Sequence, residues 1–251
     1  MKAFFVLAAV LFLPPGALSA ADLSWSSGPA RVSLIELYTS EGCSSCPPAE
    51  AWLDRLTDSP GLWRDFVPIA FHVDYWDNLG WADRFATRQY TRRQYALASA
   101  WGGNSVYTPC FVRDGAEWHP DAESRIGRGG RPGVLTVLIR GDTCHVEFAA
   151  DLSGDRNGAG AWEAHVALLG GGLSSRVTAG ENRGRTLTHA FVVLALTGAP
   201  LTASNGRASV DLALPTAGDA APARRALAVW VTRPGELAPV QATGGWLPVR
   251  G

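Results

Sequence analysis

Cysteine is scarce in this chain: only Cys43, Cys46, Cys110 and Cys144 occur among 251 residues. Four are too few for a disulfide-dense scaffold, so a hydrophobic core must carry stability. An excess of one charge is also missing. Lys and Arg number 22 against 23 Asp and Glu, a formal net charge of -1, and no long run of either sign appears. That balance argues against nucleic acid or an anionic membrane as the main partner. No apolar stretch reaches the roughly 20 residues that span a bilayer, so no membrane span is expected in the mature form. Internal repeats and low-complexity tracts are absent as well.

The first residues have the form of an export signal. Lys2 gives a positive start, Ala3 to Leu13 are apolar, Pro14, Pro15 and Gly16 break the run, and Ser19, Ala20 and Ala21 offer a cleavage site. A retained anchor is the alternative. With no cysteine at the cleavage point and no twin arginine, neither a lipoprotein nor a twin-arginine substrate is indicated. Residues 1–21 are therefore read as a signal peptide, and the mature protein as periplasmic or extracellular, an oxidising setting where disulfides persist. The remaining length suits one large domain or two small ones.

Val32 to Tyr38 reads as a short buried strand. Pro47 and Pro48 suit the first turn of a helix that runs to a stop signal at Ser59-Pro60-Gly61. Phe66 to Val73 is a second strand, followed by a loop rich in tryptophan. Thr87 to Trp101 is helical, and Val106 to Arg113 is a third strand, interrupted by Pro109, that turns back at Asp114-Gly115. Arg128 to Gly133 reads as a linker. Beyond it, short apolar runs at 134–140, 144–149, 162–169, 175–179, 186–196, 208–214 and 225–232 suggest an all-β sandwich. The expected organisation is an α/β domain over 22–130 and a β-sandwich-like domain over 131–251.

The most informative segment is Gly42-Cys43-Ser44-Ser45-Cys46-Pro47-Pro48. Two thiols at this spacing, where a strand gives way to a helix, can close into a disulfide and reopen without large backbone motion. The helix start offers unpaired N–H groups and a partial positive charge that favour a thiolate on Cys43. Cys46, one turn inward, would resolve a mixed disulfide. An ordinary stabilising disulfide is the competing reading, and half of a zinc site is another, although Cys110 and Cys144 do not repeat the spacing.

Strand, Cys-x-x-Cys, helix, then further strands is the order of the thioredoxin fold. The segments Glu36 to Ala49, Phe71 to Asp77, Val106 to Pro109 and Gly180 to Thr188 resemble domain-of-unknown-function family 1223, exported bacterial proteins with a thioredoxin-like first part. The fold class implied is a thioredoxin-like α/β domain followed by the β-sandwich-like domain. The resemblance further implies that Thr108-Pro109 is a cis bond lying against the dithiol, with Thr108, Tyr107 and Trp76 forming the substrate-binding surface. It also implies that Glu36 is the acid/base for Cys46. A salt bridge from Glu36 to a basic side chain is the other option.

Cys110 is either a third redox partner or an inert buried thiol, and Cys144 is structural or unpaired. His72 with Asp74 and Asp77 could bind a metal, or form a hydrogen-bonded core. The cluster Glu181 to Arg185 could bind an anion or a partner, or form a local ion-pair network. No metal ligand is assigned and no cofactor is required. The expected function is thiol–disulfide exchange with protein or peptide thiols through Cys43 and Cys46. The alternatives are a non-catalytic binding scaffold and a copper-handling protein using Cys43, Cys46 and His72.

Overall fold

The seven residues Ser33–Thr39 (β2) are buried without exception, and they hydrogen-bond in parallel with the equally buried Phe66–His72 (β3). In the computed structural model, which describes residues 22–120, 126, 129–151, 160–218 and 222–248, β2 leads the chain to its dithiol and β3 lies beside it. The expected signal peptide, 1–21, lies outside the described residues. Cys110–Arg113 (β4) pairs antiparallel with the other side of β2, and a turn at Asp114 and Gly115, both with positive φ, returns the chain as Ala116–Trp118 (β5). Pro47–Arg55 (α1) follows β2, with prolines in its first turn where an N–H has no partner to lose. Arg88–Ala100 (α2) is capped by the Thr87 side chain, which accepts from the Tyr90 N–H, and ends as Gly102 adopts φ +80°.

The rest of the described chain is β-structure. Leu23–Ser26 (β1), Gly133–Arg140 (β6), Thr143–Ala150 (β7) and Arg207–Ala213 (β12) pair antiparallel in the order β1-β6-β7-β12. Trp162–Gly171 (β8), Arg224–Thr232 (β13) and Gln241–Trp246 (β14) form a second antiparallel group. The long strand Val192–Ser204 (β11) joins everything. It pairs with β12 at its end and with β8 along its length, and at Val192 it pairs in parallel with Ala70 of β3. Leu173–Arg176 (β9) and Thr186–His189 (β10) form a separate hairpin.

The expected thioredoxin-like α/β domain followed by a separate sandwich is therefore not what forms. Twelve strands make one mixed sheet, and only two α-helices occur among the described residues. The reason lies in β8 and β13, which are apolar on both faces. Val166, Val229 and Val231 pack towards Val137, Val146 and Phe148, whereas Ala167, Leu169, Ala228 and Trp230 pack into the core built on β2 and β3. Fully burying each large side chain contributes about 1.5–3 kcal/mol, so these shared strands leave no seam where one part could end.

Local departures have local causes. The expected strand 186–196 breaks at Phe191, whose φ of +57° cannot belong to a strand, and the break lets the Phe191 carbonyl accept from the Ala70 N–H at 2.8 Å. The expected strand 106–113 shortens to β4, because Pro109 offers no N–H to a ladder. Sequence patterning missed β1, only four residues long, and β14, which contains Gly244 and Gly245.

Candidate functional site

The loop from Ser40 to Cys46 carries the chain from β2 into α1. Cys43 N–H donates to the Ser40 carbonyl at 3.1 Å and Cys46 N–H to the Cys43 carbonyl at 3.3 Å, a pair of tight turns that draws the two cysteines together. Cys43 and Cys46 are joined as a disulfide, with their Cα atoms 5.5 Å apart. The Thr108–Pro109 bond is cis, as the thioredoxin resemblance implies, and the Thr108 carbonyl oxygen lies 3.8 Å from Cys43 Sγ. Ser45 Oγ lies 3.3 Å from the same sulfur. Cys43 is fully buried, however, as is Cys46, so the leading sulfur expected to attack is covered in this state. Ser44 and Ser45 between them are exposed. With the sulfurs bonded to each other, neither is a thiolate ligand in this state.

Two segments fasten this loop. Trp76 packs its Cβ where a side chain at Gly42 would sit, 3.0 Å from that ideal Cβ position, and its indole N–H donates to Thr108 Oγ1 at 2.8 Å. One side chain therefore ties the dithiol loop to the proline loop. The second segment is the β9–β10 turn. The buried Asn182 amide donates to the carbonyls of Glu41 and Cys43, both at 2.9 Å, and Arg185 holds the Asn182 oxygen at 2.9 Å. Glu181 accepts from the Ser44 N–H at 2.9 Å, and hydrogen bonds from Ser44, its side chain first and its backbone second, lower the carboxyl pKa. The Glu181 to Arg185 cluster is thus a clamp on the Cys-x-x-Cys loop.

Beneath the loop lies a dense, buried polar group. His189 Nδ1 is 2.5 Å from Glu50 Oε2, and its Nε2 is 3.1 Å from Glu41 Oε1. Burial works against a charged imidazole here, but the two carboxylates outweigh it and carry the His189 pKa up to about 9. Glu41 also accepts from the Trp81 indole at 2.7 Å; burial opposes ionisation, yet the bond to His189 holds its pKa below the ordinary value. His72 Nδ1 is 2.6 Å from Asp83 Oδ2; burial opposes ionisation of Asp83, yet its interaction with His72 holds its pKa below the ordinary value. Thr39 donates to Glu50 Oε1 at 2.5 Å.

Glu36 is placed elsewhere. It is completely buried, and Arg93 of α2 grips both its oxygens at 2.9 Å while the Tyr38 hydroxyl donates to it at 2.9 Å. Alternation along β2 turns Glu36 to the α2 side and Thr39, bonded to Glu50, to the α1 side. The salt-bridge option is therefore the one the geometry shows, and Glu50 is the carboxylate on the dithiol's own helix. Cys110 lies opposite Tyr38 in the ladder, on the α2 face, and burial pushes its thiol up to about 11. Cys144 is buried in the other core, its thiol raised to about 12 by burial. Tyr107 is exposed beside the proline loop, with its hydroxyl on Glu117. Asp74 binds the Thr91 hydroxyl at 2.5 Å and Asp77 the Asp83 N–H at 3.0 Å, so neither reaches for His72.

Sequence reasoning missed Glu41, Glu50, Asp83, His189 and the role of Asn182. Glu50 had a visible signal, being four residues beyond Cys46 on one helix face. His189 had none, since only the tertiary fold carries β10 to α1.

A family described as "Protein of unknown function (DUF1223)" matches residues 34–232. No curated protein matches the chain. Two solved structures are similar. A crystal structure of an Agrobacterium tumefaciens protein is 24% identical, with a TM-score of 0.61 over 85% of this chain and 94% of that one. HBP35 of Porphyromonas gingivalis is 16% identical, with a TM-score of 0.56 over 87% of this chain and 76% of that one. At these identities the likeness concerns the fold alone.

Proposed function

The chain belongs to the DUF1223 family of proteins of unknown function, and within it we propose an exported thiol–disulfide exchange protein whose redox centre is Cys43–Cys46. One observation carries the reading: a disulfide at a helix start with the backbone carbonyl before a cis-proline 3.8 Å from the leading sulfur. What it keeps of the thioredoxin resemblance is this local arrangement, not the fold. A client thiolate attacks Cys43 Sγ, the Cys43–Cys46 bond breaks, and Cys46 leaves as a thiolate that takes a proton. A second client thiol then attacks the mixed disulfide and releases Cys43, leaving the client oxidised and the pair reduced. The reverse sequence reduces a client. Thr108 and the exposed Tyr107 border the approach to Cys43, and Trp76 sets the proline loop against it.

Complete burial of both cysteines favours a second reading, a structural disulfide in a non-catalytic binding protein. A cleft of about 840 Å³, bordered by Leu23, Ile139, Leu168 and Leu227 and remote from the dithiol, offers such a protein a binding surface. Equilibration of the folded mature chain in graded thiol–disulfide buffers, followed by alkylation and mass measurement, separates the two. Exchange within minutes and a potential above about −300 mV support the redox reading. Sulfurs that stay bonded until the protein unfolds refute it.

A further inference from the structure

Behind the dithiol loop, three side chains from three separate elements converge: Glu50 on α1, His72 at the end of β3 and His189 at the end of β10. One ligand-capable atom of each lies within 4.8 Å of the other two. Their exposures are 8%, 1% and 3%, so the convergence is an interior one.

Each of the three is oriented from behind. His72 Nδ1 sits 2.6 Å from Asp83, whose carboxylate also accepts from the N–H groups of Glu41 and Phe85 at 2.9 Å. His189 Nε2 sits 3.1 Å from Glu41, itself held by Trp81. Glu50 Oε1 takes the Thr39 hydroxyl. His72 thus keeps one nitrogen on a carboxylate and leaves the other for something else, whereas His189 holds Glu41 through Nε2 and meets Glu50, the third member of the group, through Nδ1. Metal-ligating histidines typically show this pattern, because the outer carboxylate fixes the tautomer and raises ligand basicity. The decisive atom is His72 Nε2, which is buried and has no hydrogen-bond partner among the described residues. A nitrogen left bare in the interior is costly unless something binds it.

We propose that His72 Nε2, His189 Nδ1 and Glu50 Oε2 form a mononuclear site for a divalent transition metal of the zinc class, with a fourth position for water. Two imidazoles and one carboxylate are a donor set that such ions take, at bonds of about 2.0–2.1 Å. Tetrahedral binding sets the donors roughly 3.4 Å apart, so His189 Nδ1 and Glu50 Oε2 move apart from 2.5 Å and His72 is drawn in by side-chain rotation. The proton between His189 Nδ1 and Glu50 leaves to solvent as the ion takes its place. Glu41, Asp83 and Glu50 provide the compensating negative charge that an interior cation requires. The disulfide plays no part, so a dithiol that resists exchange leaves this site standing.

The test uses the mature chain with its disulfide intact, stripped by a chelator and titrated with Zn2+ by calorimetry, with Co2+ as the spectroscopic probe. One equivalent of Zn2+ is expected, together with a visible Co2+ spectrum free of sulfur charge-transfer bands. Binding should weaken about 10–100-fold in Thr39→Val, which loses an outer partner, and disappear in His72→Phe. Failure of the oxidised wild-type chain to bind one equivalent overturns the proposal. So do sulfur charge-transfer bands, or undiminished affinity in a folded His72→Phe. If that variant does not fold, the wild-type spectrum and Thr39→Val decide the matter.

Discussion

Replacing Glu36 by Gln separates the two roles its position allows. Glu36 is fully buried and takes two bonds from Arg93, whose side chain is 10% exposed, and a third from Tyr38. The glutamine amide keeps one acceptor but turns an NH2 towards a guanidinium that has only donors. A buried cation is then left half-paired, and breaking such a pair from one side typically costs about 3–5 kcal/mol. For a chain of this size each kcal/mol lowers Tm by roughly 2–4 °C, so a fall of about 6–20 °C is expected. Denaturation followed by tryptophan fluorescence measures it. A double variant, Glu36→Leu with Arg93→Met, should lose less than Glu36→Gln alone, because no charge remains to be stranded. Where Glu36→Gln is folded, its rate of disulfide exchange should match the wild type. A stability loss under 1 kcal/mol with a tenfold slower exchange would refute the structural assignment and restore Glu36 as the proton donor to Cys46.

Acid should act on His165, which stacks on Trp230 with ring centroids 5.2 Å apart. Burial first, and the Arg93 charge second, lower its pKa from 6.5 to about 4. Because the folded value is depressed, the unfolded chain takes the proton first. Stability is unaffected above pH 6.5 and falls as pH drops towards 4, by on the order of 3 kcal/mol. Urea denaturation of wild type and His165→Gln at pH 7 and pH 4 should show that difference, and parallel pH profiles would contradict it. Asn182→Ala strands the carbonyls of Glu41 and Cys43. It should cost about 2–3 kcal/mol and speed alkylation after mild reduction; unchanged alkylation rates would show that the clamp does not restrain the loop. Gly245→Ala directs a Cβ into the Trp25 indole. It should destabilise by about 1–3 kcal/mol in thermal melts, and an unchanged Tm would mean that β1 yields without loss.

The elements around the dithiol were legible because their determinants are local. A run of β-formers precedes the cysteines, prolines open α1, Thr87 caps α2, and Asp114-Gly115 turns β4 into β5. The global arrangement was not legible, since a two-faced apolar strand has the same composition whether it sits inside one sandwich or between two cores. Val229 and Trp230 are neighbours in sequence, yet they enter different cores. Alternation cannot be read where both phases are apolar, and so two domains were expected where one sheet runs through.

The same argument explains which site residues could be found. Cys43, Cys46 and Pro109 carry their signal in spacing. Glu41, Glu50, Asp83 and His189 carry theirs in burial, a tertiary property. A fold that only stapled a loop would gain little from carrying two histidines and three carboxylates into its interior, since each charge must be desolvated and then repaired by a partner. Here every carboxylate of the group is bonded, and a single imidazole nitrogen, His72 Nε2, stands without a partner among the described residues. An interior polar cluster satisfied everywhere but at one atom, on a histidine that converges with two further ligand-capable side chains, has the form of a site for a ligand rather than of a brace.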